Sequence, residues 1–166
     1  RQYYRFIGKD GESVVGVIGT SRDENHAFIY LDRHFQLRQL PVPHILAVSE
    51  DELCYLQTDL GHTSLFDAIR GGREAGGRYN QNEQQLLIKT IRALPNFQIR
   101  GARGLDWKNC YPQPEFDEES VLFDLNYFKY CFLKATGLDF HELKLEANFH
   151  MFAQDLTSET SDCFLY

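Results

Sequence analysis

The sequence predicts an α+β fold: a small antiparallel sheet carrying one helix, followed by a mostly helical lobe. Two observations carry this. Four β-rich runs, paired around tight turns, fall within the first sixty residues and flank a single helical period. From Thr63 onward the periodicity is helical. The expected division is residues 1–60 as a β-rich lobe and 61–166 as a helical portion.

The first pair is RQYYRFIG and SVVGVIG around KDGE, where Asp10-Gly11 is a favoured tight-turn dipeptide. In SRDENHAFIYLDRHFQLRQL, Ser21 and Glu24 have capping-box spacing, and Ala27, Phe28, Leu31 and Phe35 recur at helical intervals. Pro41 and Pro43 end that helix. HILAVS and LCYLQT flank the polar EDE and read as a second antiparallel pair. HTSLFDAIR is a short helix with Thr63 as its candidate cap. GGREAGG, with four glycines in seven residues, reads as a flexible loop.

NEQQLLIKTIRAL is a helix with Leu87, Ile91 and Leu94 on one face. The stretch from about Pro95 to Phe116 is irregular and carries Phe97, Trp107, Tyr111 and Phe116. Structureless segments of that length are usually functional or mobile. DEESVLFDLNYFKYCFLKATG forms a helix from Asp117, with Val121, Leu125, Phe128 and Phe132 along one side and Gly137 as its stop. LDFHELKLEANFHMFAQDL is another. CFLY, after the polar TSETSD, begins a strand.

The net charge of −7, without a run of Lys or Arg, disfavours nucleic-acid binding. No apolar stretch reaches membrane-span length. Cys54, Cys110, Cys131 and Cys163 are widely spaced, with no Cys-x-x-Cys pair. Three of them sit among apolar neighbours, which reads as buried thiols in a reducing, cytoplasmic setting. HELKLEANFH lacks the spacing of a zinc helix.

The order of these elements, with R-x-Y-Y-R-F at Arg1 to Phe6, SVVGVIG, Glu24-Asn25 and Phe28, VPHILAVSEDELCYLQTDLGHTSLFDAI and DLNYFKYCFLKATGL, resembles the aminoglycoside-phosphotransferase and choline-kinase-like branch of the protein-kinase-like fold. The look is nearest to bacterial kinases of N-acetylmuramate and N-acetylglucosamine. The resemblance implies an ATP-dependent small-molecule kinase that transfers the γ-phosphoryl to a hydroxyl, that of an amino sugar, with magnesium as the metal. It also implies that the connector Gln57-Thr58-Asp59-Leu60-Gly61 offers backbone groups to the adenine edge, with Val15 beside it on the second strand. Thr58 and Asp59 can equally serve as simple turn caps.

The resemblance has two departures. The strand that carries a phosphate-gripping lysine in kinase-like folds reads Val14-Val15-Gly16-Val17-Ile18 here, and Lys9 lies in the turn. Phosphate charge then falls to metal and backbone, or to Arg1 or Arg5, and Glu24 is expected to be a solvated carboxylate at a helix start. The other departure is that Tyr166 would stand immediately before the Arg-Asp of a catalytic loop. A fold truncated at both ends is therefore expected, lacking catalytic residues and metal ligands and inactive by itself. Trp107, Tyr111 and Asp117-Glu118-Glu119 suit an amino-sugar or choline-like site, and also suit a loop aromatic and an acidic helix start. A kinase-like module that binds a ligand or partner without turnover is the alternative, and an unrelated α+β domain is a third.

Overall fold

A computed structural model describes residues 1–158. The strand expected at CFLY lies outside these residues. The described chain is α+β, with strands β1 (Gln2–Ile7), β2 (Ser13–Ile18), β3 (Ile45–Val48) and β4 (Cys54–Thr58). Its helices are α1 (Arg22–Leu37), α2 (Leu65–Ala68), α3 (Arg70–Glu74), α4 (Gln81–Pro95), α5 (Glu118–Phe128) and α6 (Glu142–Thr157). Two compact units divide after Pro112, so the boundary expected at residue 60 lies within the first.

In the first unit the sheet is antiparallel throughout, with order β1-β2-β4-β3. The β1–β2 turn passes through Gly11 at φ 85°, a left-handed conformation that glycine adopts without strain. Ser21 caps α1 by accepting from the Glu24 N–H. The helix then lays Ile29 and Phe28 on Val17 and Tyr55, with Val15, Ile45 and Val48 around them. The Phe28 and Tyr55 rings stack with centroids 5.3 Å apart, and burial pushes the Tyr55 hydroxyl up to about 12.

The stretch expected to be structureless instead completes the core. It forms a π-turn at Asn96–Arg100 and a 3-10 turn at Trp107–Asn109. Leu105 is buried with Phe35 and Leu40, and Phe97, Ala102 and Cys110 pack around them. Polar ties reinforce the contact: His34 Nε2 donates to the Gly101 carbonyl at 2.7 Å, and the Asp106 N–H donates to the Tyr30 hydroxyl at 2.8 Å. The apolar residues here follow no period because they are set by the surface of α1.

Other local expectations are corrected. Ser64 rather than Thr63 caps α2, accepting from the Asp67 N–H. GGREAGG is not wholly a loop, since Arg70–Glu74 forms α3. A capping box of Asn80 and Glu83 opens α4, and Glu83 is buried while Ile91 and Leu94 are exposed. Cys54 and Cys131 are exposed and Cys110 is half-buried, so the sequence neighbours misjudged the two exposed thiols. No helix among the described residues is long and apolar enough to cross a membrane.

The second unit is a helical hairpin. Asp117 caps α5 through the Ser120 N–H, the chain continues through Lys129–Leu133 and Lys134–Thr136, and Gly137 stops it at φ 70°. Lys129, buried, pairs with Glu146 of α6. Val121, Phe149 and Ala153 form the buried apolar contacts.

Candidate functional site

Strand register assembles the site. Arg5 lies opposite Val15, Val15 opposite Gln57, and Gln57 opposite Ile45. Directly opposed residues share a sheet face. This row therefore lies on the face that carries α1, because Val15 and Ile45 pack into the cluster beneath that helix. Beyond the row, β4 ends at Thr58 and the connector begins.

Asp59 is the centre of this end of the sheet. Its side chain is 6% exposed, and its carboxylate accepts from Arg5 Nε and, at 2.8 Å, from Arg5 Nη2. It also accepts from Ser13 Oγ at 2.8 Å and from the Gly61 N–H at 2.9 Å. The Arg5 fork, then Gly61 and Ser13, hold its carboxyl well below the usual carboxylate range. Arg5 Nη2 also donates to the Gly61 carbonyl at 2.9 Å, and Nη1 lies against the His62 ring.

The expected nucleotide residues are thus brought together with different surroundings. Val15 and Gln57 sit side by side, half-buried, and Gln57 Oε1 is a buried oxygen without a hydrogen-bond partner among the described residues. Thr58 locks β4 to the entry of β3, donating its N–H to the His44 carbonyl at 3.0 Å and accepting the His44 N–H on Oγ1 at 2.9 Å. Asp59 turns inward and caps the turn. Leu60 points out, 72% exposed, and its backbone N–H and C=O make no hydrogen bond among the described residues.

The two arginines considered for phosphate are both engaged. Arg5 is held by Asp59. Arg1 Nη2 meets Glu24 Oε1 at 3.1 Å, and its guanidinium lies 5.5 Å from the Phe28 ring centroid. Glu24 is therefore an ion-pair partner rather than an unpaired, solvated carboxylate. Among the described residues no three His, Cys, Asp or Glu side chains group as a metal site. Trp107 and Tyr111 are partly exposed in the first unit, while Asp117 serves as the α5 cap in the second.

Sequence reading placed the connector but missed the roles of Arg5 and Ser13 as its anchors. The signal was present as an arginine on one strand and an aspartate after another. Only the register across three strands joins them. No family model, curated protein or solved structure matches the chain.

Proposed function

We propose that this chain forms the nucleotide-binding roof and adjoining helices of an ATP-dependent small-molecule phosphotransferase of the protein-kinase-like fold. The transferred group is the γ-phosphoryl of ATP, its acceptor a hydroxyl of an amino sugar, and the setting cytoplasmic. One observation carries the reading. The connector leaves the sheet beside Val15 with the N–H and C=O of Leu60 unbonded among the described residues, which suits pairing with the edge of an adenine base. The hairpin, helix, hairpin order and the central place of β4 support it.

The connector fits an adenine through the donor and the acceptor on Leu60. It does not fit Mg²⁺, because its one carboxylate, Asp59, is already taken by Arg5, Ser13 and the Gly61 N–H. Isothermal titration of the full chain with ATP, ADP and GTP tests the reading. Adenine nucleotides are expected to bind more tightly than GTP, because backbone groups discriminate between the two base edges. Absence of heat with every nucleotide overturns it.

A kinase-like module that binds without turnover has one observation in its favour. Arg1 and Arg5 are both neutralised by carboxylates and β2 carries no cation. If adenosine binds as tightly as ATP with magnesium present, the phosphates are not gripped and this second reading stands.

A further inference from the structure

We infer that Arg5 is a positioning residue that sets the conformation of the connector from two strands away. The inference rests on the nucleotide reading for its functional consequence and on geometry for everything else. Arg5 belongs to β1, whereas the connector follows β4, with β2 between them. Its guanidinium nevertheless touches residues 59, 61 and 62: the Asp59 carboxylate by two nitrogens, the Gly61 carbonyl, and the His62 ring. Asp59 returns the contact to the backbone by accepting the Gly61 N–H, and Ser13 of β2 holds the same carboxylate.

The arrangement closes a loop of interactions around Leu60. The residue before it is fixed through its side chain. The residue after it, Gly61, is fixed through both its N–H and its C=O, at φ 95°. Leu60 itself makes no hydrogen bond among the described residues. The clamp thus leaves the N–H and the C=O of Leu60 open and immobilises the residues on either side, which lowers the ordering cost of a ligand that pairs with them.

A planar, forked donor is required. Arg5 fills three acceptor directions at once, which the single ammonium of lysine cannot reproduce. Register matters equally. A one-residue slip of β1 would carry Arg5 to the opposite face and empty the clamp.

The test is amide hydrogen exchange on the full chain, residue by residue, for the wild type, Arg5→Lys and Ser13→Ala, alongside ATP titration. In Arg5→Lys the amide of Gly61, which Asp59 holds, is expected to exchange about tenfold faster, while those of β2, β4 and α1 keep their protection. Ser13→Ala, which removes one of the bonds to Asp59, should give a smaller change in the Gly61 amide and keeps the inference testable if Arg5→Lys does not fold. ATP affinity is expected to fall about tenfold in Arg5→Lys, the effect of losing roughly one charged hydrogen bond. Unchanged connector exchange in the variants overturns the inference. So does a uniform rise across the first unit, which marks a merely structural pair. A wild type that binds no nucleotide defeats the nucleotide reading, while the exchange data still decide the role of Arg5.

Discussion

The Asn25 carboxamide lies directly against the backbone of Gly19: a Cβ placed on Gly19 would fall 2.2 Å from Asn25 Nδ2 and 2.6 Å from its Cγ. Asn25 cannot swing aside. It is fully buried in the first turn of α1, and its Nδ2 donates to the Glu52 carbonyl at 2.8 Å and to the Leu53 carbonyl at 3.2 Å. This contact joins the end of β2, the start of α1 and the β3–β4 turn. Gly19→Ala is accordingly expected to cost about 1–3 kcal/mol by overpacking. Urea denaturation checks it, and an unchanged midpoint would show that Asn25 yields more easily than its bonds suggest.

Glu83 makes a second, independent tie. Its carboxylate accepts the Gly72 N–H of α3 at 2.9 Å and the Asn80 N–H at 2.8 Å, while Asn80 caps the Glu83 N–H in return. Removing it leaves the buried Gly72 amide without an acceptor and opens the α4 cap at Asn80. Glu83→Ala should destabilise by about 1–3 kcal/mol, with Glu83→Gln in between because one acceptor oxygen remains. Thermal unfolding of the two variants side by side gives the ranking.

Segment 96–110 is a structural part of the first unit, and Leu105 is its anchor. Truncation to alanine opens a cavity between Phe35 and Leu40, with an expected cost of about 2–5 kcal/mol. Leu37→Ala is the control, since that side chain is 83% exposed and its loss should stay within about 0.5 kcal/mol. Equal effects of the two substitutions in chemical denaturation would contradict the packing described.

Two buried titrating groups on α1 give stability slopes of opposite sign. Burial raises the Asp32 carboxyl, so the native state holds its proton to higher pH than the unfolded chain does. Its favourable contribution is present below the ordinary aspartate range and is lost as pH rises through the raised native value. Burial lowers the His34 imidazole, so the native state sheds that proton first. Stability from His34 is present above the ordinary value of about pH 6.5 and is lost as pH falls from there through the lowered native value. Denaturation midpoints from pH 4 to 8 should therefore lose their decline with rising pH in Asp32→Asn and their decline with falling pH in His34→Gln. Parallel pH profiles in wild type and variants would refute both assignments.

What was legible in the sequence were the features encoded locally. The Asp10-Gly11 turn, the Ser21 cap, the helix start at Asp117 and the Gly137 stop each act within a few residues and stand where expected. The packing of Phe97 and Leu105 was not legible, because their partners Phe35 and Leu40 lie more than fifty residues away. Cys54 was misread for a related reason. Apolar neighbours in a strand do not fix which face a residue occupies, and it is Tyr55 that turns inward. At the candidate site the connector could be placed by its position after the last strand. Its clamp could not, since Arg5 and Asp59 meet only through the register of β1 on β2 and of β2 on β4.

The 3-10 turn after Leu105 also holds Trp107, the one tryptophan in the chain. The helical hairpin of residues 113–158 has tyrosines, among them Tyr127 and Tyr130, and no indole. Light absorbed at the red edge of the indole band thus reports on the first unit alone, and far-ultraviolet circular dichroism reports on both. Melting followed by the two signals in one cuvette shows whether the hairpin unravels with the sheet or apart from it, without a label or a substitution.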